Sequence, residues 1–286
     1  MTQANPAAPQ TDEEIIQSIG AYNYGWHDSD DAGASARRGL DEEVVADISA
    51  KKNEPEWMLQ FRLSALETYH TRDMASNWGP SITGLDMDHI STYVSPKTKQ
   101  SNSWDDVPED IRDTFERLGI PKAEAESLAG VGAQYDSEIV YHNMRKEVAE
   151  QGVIYTTIED ALHDPKWEPV VKQYFGTLIP PADHKFAALH YAVWSGGSFV
   201  YVPAGVSLDY PLQSYFRLNA QGAGQFEHTL IIVEKGADLH FIEGCSAPKY
   251  YAANLHAGAV ELFVKDGARL RYSTIENWSK NMYNLN

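Results

Sequence analysis

Cys245 is the only cysteine in this chain of 286 residues, and it stands in Glu243-Gly-Cys-Ser-Ala-Pro248. Glycine before it, with serine and proline after it, make the segment read as a turn. A turn can expose sulfur and aim backbone N–H groups at a thiolate, which lowers the thiol pKa. A lone thiolate without a resolving partner suits carrying a group, such as persulfide sulfur, better than cycling a disulfide. The blander reading is a small buried hydrophobe.

Other reactive residues lie around it. His228, His240 and His256 sit within reach in sequence, and imidazoles beside a thiol are ligand types for iron or zinc. The ten histidines form no H-E-x-x-H motif and the chain has no paired C-x-x-C, and a strand histidine is ordinarily solvated or hydrogen-bonded. Glu227, Glu243, Glu261 and Glu276 are the carboxylates a polysaccharide-cleaving enzyme would pair. Acidic residues on outer strand faces are more simply a solvated surface. There is no G-x-S-x-G elbow: Trp194-Ser-Gly-Gly-Ser198 reads as a turn between strands. No phosphate-binding loop occurs, and Gly222-Ala-Gly224 reads as a hairpin-like turn.

The elements that must position these residues repeat. Gly205, Gly236 and Gly267 stand at intervals of 31. Around them recur Val202, Val233 and Val264, then Leu208, Leu239 and Leu270, then Tyr210, Phe241 and Tyr272. A fixed period of this size marks stacked supersecondary units, here strand, glycine turn and strand. Stacking buries an apolar seam that no single unit buries alone, so a parallel β-helix is expected. The last strand-like run ends at Trp278 without a polar cap, so a fragment of a longer solenoid is the expectation.

Composition bounds the rest. Hydrophobic content of 43% supports a real core. The net charge of −18 speaks against nucleic acid and against an anionic membrane surface. No apolar run of about 18 residues exists to span a bilayer. The polar start carries no secretion signal and one cysteine forms no internal disulfide, so the cytoplasm is expected.

In chain order, residues 1–12 read as a disordered tail, and Asp12 caps a short helix. Residues 13–180 form a mostly helical domain. Asp41 and Pro55 open an αα-hairpin, residues 71–107 are loop-like, and helices follow at 108–118, 121–129, 157–163 and 165–175. Ser137 to Met144 reads as a strand. From Lys185 the composition turns to alternating β-branched and aromatic residues, so a β domain is expected over 181–286. The fold class is α+β.

These residues carry a resemblance. Tyr191-Ala-Val-Trp-Ser-Gly-Gly-Ser-Phe-Val-Tyr-Val-Pro203, Pro211-Leu-Gln-Ser-Tyr-Phe-Arg-Leu-Asn219, Gly224-Gln-Phe-Glu-His-Thr-Leu-Ile-Ile232, Glu243-Gly-Cys-Ser-Ala-Pro248 and Tyr272-Ser-Thr-Ile-Glu-Asn-Trp278 closely resemble the SufB family, scaffold subunits of the SUF iron–sulfur cluster assembly system. Asn53-Glu-Pro-Glu-Trp-Met-Leu59 and Ser137-Glu-Ile-Val-Tyr-His142 extend the likeness into the helical half. The resemblance implies a right-handed parallel β-helix behind a helical domain. It implies a non-enzymatic scaffold working with the SufC ATPase, SufD and a cysteine desulfurase. By motif, Cys245 matches the family's sulfur acceptor, while Arg217, Asn219 and Trp278 match residues lining its sulfur path. Arg217 is then expected to stabilise a thiolate or persulfide by its fixed charge. At Glu276 family members can carry Gln. Ligands of the nascent cluster are expected beyond Asn286, so this chain alone is expected to hold none stably. The two other readings are a SufD-like partner without the sulfur role and a polysaccharide-acting enzyme.

Overall fold

A computed structural model describes residues 34–35, 38–73, 82, 84–96, 98–248 and 254–286 of the chain. The expected tail over 1–12 and the helix capped by Asp12 lie outside the described residues.

Strand β1 (Ala34–Ser35) leads into helix α1 (Glu42–Lys51). Asp41 caps α1, its carboxylate accepting from the Val44 amide at 2.8 Å, and Glu42 and Glu43 face the positive helix end. Pro55 stands at the N-cap position of α2 (Glu56–Thr71) without a side-chain capping hydrogen bond, and α1 and α2 make the expected hairpin. Strand β2 (Val94–Ser95) pairs antiparallel with β1. Helices α3 (Glu109–Arg117) and α4 (Ile120–Ser127) flank Gly119, whose φ is +75°. Next come β3 (Gly130–Tyr135), β4 (Glu138–Met144), α5 (Lys146–Ala149), β5 (Ile154–Thr156), α6 (Ile158–His163) and α7 (Glu168–Tyr174).

Helix α8 (Lys185–Val193) corrects the sequence reading, which placed strand character from Lys185. Phe186 to Val193 are all buried, so no polar face interrupts the apolar run. A short run buried all round carries no helical stripe to distinguish it from a strand. Arg62 of α2 fixes the end of α8. Its guanidinium is fully buried, pairs with Glu54 at 2.6 and 2.7 Å, and donates to the carbonyls of Ala192 and Trp194 at 3.3 and 2.9 Å. Helix ends leave such carbonyls without partners, and Arg62 supplies them.

Among the described residues nine strands follow: β6 (Phe199–Val202), β7 (Leu212–Arg217), β8 (Gly224–Gln225), β9 (His228–Val233), β10 (Asp238–Ser246), β11 (Asn254–His256), β12 (Ala259–Val264), β13 (Arg269–Asn277) and β14 (Met282–Asn284). They lie in three sheets, ordered β12-β9-β6-β5, β13-β10-β7-β3-β4 and β14-β11-β8. From β6 onward the chain visits these three sheets in that order three times. Among the described residues all pairs among β6 to β14 are parallel, and the antiparallel pairs in these sheets are β3 with β4 and β5 with β6. The repeat glycines make the turn from the first sheet to the second, each near φ +70°.

The period is locally broken. Leu239 pairs with Leu270 and Phe241 with Tyr272, as the repeat aligns them. One coil earlier, Leu212 takes the place beside Phe241, and Tyr210 stands half exposed. The two extra residues fall between the Ser207–Asp238 bridge and the Leu212–Phe241 pair. An even insertion keeps every later side chain on its face. Gly222-Ala-Gly224 makes no hairpin: Gly224 enters β8, which runs parallel to β11. Strand β3 was not expected; its Gly132 lets the Tyr155 hydroxyl come within 2.7 Å of where a Cβ would stand.

Between the two larger sheets lies an apolar layer of Val200, Val202, Ile231 and Val233 against Leu212, Leu239 and Phe241. Strand alternation therefore points Leu239, Phe241, Glu243 and Cys245 inward along β10.

Candidate functional site

Cys245 lies within β10 rather than on a turn, and it is 1% exposed. It is flanked in register by Phe216 of β7 and Glu276 of β13, and packs with Ile139 and Phe216 under Trp278. Burial, then the carboxylates of Glu227, Glu243 and Glu276, push its thiol pKa well up. The expected turn-exposed, acidified thiolate is thus replaced by a buried protonated thiol.

Two residues converge on it from neighbouring elements. Glu227 comes from the corner between β8 and β9, and His256 ends β11. A carboxylate oxygen of Glu227, the Cys245 sulfur and a ring nitrogen of His256 all lie within 4.8 Å of one another, and all three residues are buried. His256 Nε2 shares a very short hydrogen bond with Glu227 Oε1. Burial alone would lower the His256 pKa, but Glu227 outweighs it and raises it. Its other nitrogen, Nδ1, bonds to Asn284 Oδ1 at 2.8 Å, and the Trp278 ring lies 4.5 Å away. Gly258 leaves room for this carboxylate, since a Cβ there would stand 2.6 Å from Glu227 Oε1.

Deeper along β10, Glu243 accepts from Thr229 and Tyr272, both at 2.8 Å. Burial, helped by Glu227, pushes its pKa up to about 7. Glu227, Glu243 and Glu261 are therefore interior groups, and only Glu276 keeps the solvated place expected for these carboxylates. His228 is interior too, linking His190 at 3.0 Å to Glu261 at 3.2 Å.

The four residues singled out by motif separate into two groups. Cys245 and Trp278 share the inner cluster. Arg217 pairs in register with Ser246 and donates to its hydroxyl at 3.0 Å, so it lies on the sheet face opposite Cys245. Its Nε donates to Asn219 Oδ1 at 3.1 Å, and the Asn219 amide meets the Tyr135 hydroxyl at 2.6 Å. Asp136, at φ +54°, accepts from the Asn219 and Ala220 amides and closes this network on the β3–β4 turn. Arg217 and Asn219 thus anchor the strand next to Cys245 from behind. Glu227 and His256 are the neighbours that the motif reading missed as a set. His256 stood close in sequence, but the convergence depends on three-sheet geometry that linear spacing does not encode.

Residues 216–286 match the SufBD core domain of the SUF iron–sulfur cluster assembly system. The chain is 51% identical over 267 residues to an iron–sulfur cluster assembly SufBD family protein of Staphylococcus aureus strain MRSA252 and to one of Staphylococcus haemolyticus strain JCSC1435. Each alignment covers 93% of this chain and 57% of the relative, so the chain spans little more than half the length of these relatives. The sequence places this chain with the SufBD family of iron–sulfur cluster assembly proteins.

Proposed function

We propose that the chain belongs to a SufB-type scaffold subunit in which Cys245 accepts persulfide sulfur for a nascent iron–sulfur cluster. The observation that carries this reading is the closed cluster of Cys245, Glu227 and His256 within a SufBD core. The three coils of parallel strands are read as part of a right-handed parallel β-helix, the frame that brings those residues together. The protein turns over no substrate of its own. A cysteine desulfurase system supplies sulfur, SufC supplies ATP hydrolysis, SufD pairs with the scaffold, and the setting is the reducing cytoplasm.

The transfer balances without an outside oxidant. Cys245 sulfur attacks the terminal sulfur of the donor persulfide, a new S–S bond forms, and the donor S–S bond breaks with its electron pair leaving on the donor thiolate. The Cys245 proton passes to the Glu227 carboxylate and finally to the donor thiolate. A positioned base of this kind contributes about 10²-fold or more. In this reading Arg217 supports the site from the opposite sheet face, its guanidinium donating to the Ser246 hydroxyl.

The test is sulfur transfer from a cysteine desulfurase to the folded chain with a metal chelator present. The native chain gains one sulfur atom, and Glu227→Gln, which keeps the thiol, takes it up at least about tenfold more slowly. Equal rates would remove Glu227 from the mechanism. No uptake by the native chain would favour a SufD-like subunit without the acceptor role.

A further inference from the structure

We propose that Glu227, Cys245 and His256 bind one divalent first-row transition-metal cation, of the Fe(II) to Zn(II) class, where the three sheets meet. The donor set is mixed, one carboxylate oxygen, one sulfur and one imidazole nitrogen, which are ligand types that such ions share. The three atoms lie within 4.8 Å of one another. Tetrahedral bonds of about 2.0–2.3 Å place such atoms about 3.3–3.6 Å apart, so small side-chain rotations close the site.

Three further observations point to a ligand. Glu227 Oε2 is buried without a hydrogen-bond partner, which is costly for a carboxylate unless something occupies its lone pairs. His256 is oriented as metal-binding histidines are: Nδ1–H donates to Asn284 Oδ1, leaving Nε2 directed at Glu227. Asn284 is itself fixed, because its amide donates to Glu276 Oε2 at 2.8 Å, turning its carbonyl toward the ring. Asn284 is exposed, so the buried imidazole lies one hydrogen bond below the surface and gives a hydrated ion a way in.

The charge closes as well. A thiolate, a carboxylate and a neutral imidazole balance a dication. On binding, metal–sulfur, metal–nitrogen and metal–oxygen bonds form and the ion sheds waters. The thiol proton and the proton shared by His256 and Glu227 leave to solvent. No group is oxidised or reduced. Three protein ligands leave a fourth position open.

This reading does not rest on sulfur acceptance, and its test contains no sulfur donor. Anaerobic titration of the whole chain with Co(II) alone is expected to saturate at one ion per chain with a thiolate-to-cobalt charge-transfer band, which Zn(II) then displaces. Cys245→Ser abolishes the band. Asn284→Ala, which removes no ligand, weakens binding about tenfold or more. An absent band in the native chain, or one unaffected in strength and affinity by Glu227→Gln and His256→Asn, would overturn the proposal. Should those variants fail to fold, X-ray absorption of the Zn(II)-loaded native chain decides alone: one sulfur at about 2.3 Å with nitrogen and oxygen at about 2.0–2.1 Å supports the site, and a shell without sulfur contradicts it. A failed sulfur transfer with a normal Co(II) titration would remove only the acceptor role, and the converse would remove only the metal site.

Discussion

At the scale of residues, the decisive fact about Cys245 is its placement among acids in a closed space. A buried thiol with a raised pKa is a poor general nucleophile. Alkylation of the native chain by iodoacetamide is therefore expected to run at least about a hundredfold slower than in denaturant, as read by mass spectrometry. Rapid native alkylation would show an open thiol. The family resemblance singled out Cys245 and Trp278 together, and both lie in one cluster. It placed Arg217 beside them because motif order carries no sheet face: Arg217 pairs with Ser246, and strand alternation sends it to the other side. Glu227 and Glu243 read as surface because strand position alone does not say which face closes on a neighbouring sheet.

At the scale of elements, the glycine turns were the most legible feature, because a positive φ at a fixed interval leaves a mark in sequence that packing does not blur. Gly236→Ala meets no atom within 4 Å, so its cost is conformational alone, about 1–2 kcal/mol in a urea melt. Gly197→Ala costs more in the same assay, since its Cβ would stand 2.0 Å from the His228 carbonyl oxygen. Helix α8 was the least legible element, since tertiary burial decides its state. Its attachment is correspondingly specific. Arg62→Leu leaves Glu54 buried and unpaired and strips the α8 carbonyls of their donor, so a loss of about 3–5 kcal/mol is expected from the urea midpoint. A loss below about 1 kcal/mol would mean that the buried pair does not hold the helix.

At the scale of the molecule, strands from the first half extend the sheets of the second: β3 pairs with β7 and β5 with β6. A composition change near residue 180 was visible in sequence, whereas this sharing was not, because β3 is glycine-containing and β5 is only three residues long. Glu261 ties the halves further. It accepts from the amides of Gly176 and Leu178 at 2.7 Å and from His228. Burial would raise its pKa, but these hydrogen bonds and the His228 interaction hold it below the usual carboxylate value. A depressed folded pKa gives stability that is present above the unfolded value of 4.5 and lost as pH falls through the folded one. The urea midpoint should therefore drop in acid below about pH 4.5, and Glu261→Gln should flatten that drop while costing about 1–3 kcal/mol near neutrality. Among the described residues no helix is long and apolar enough to cross a membrane. The central claim is that this fold makes a buried thiol receptive to sulfur. The most direct measurement compares sulfur uptake from a desulfurase persulfide by the native and the urea-unfolded chain, read as the mass of the Cys245 peptide. The account predicts that the native chain takes up sulfur at least as fast as the unfolded one, despite its slow alkylation. Uptake by the unfolded chain alone would contradict it.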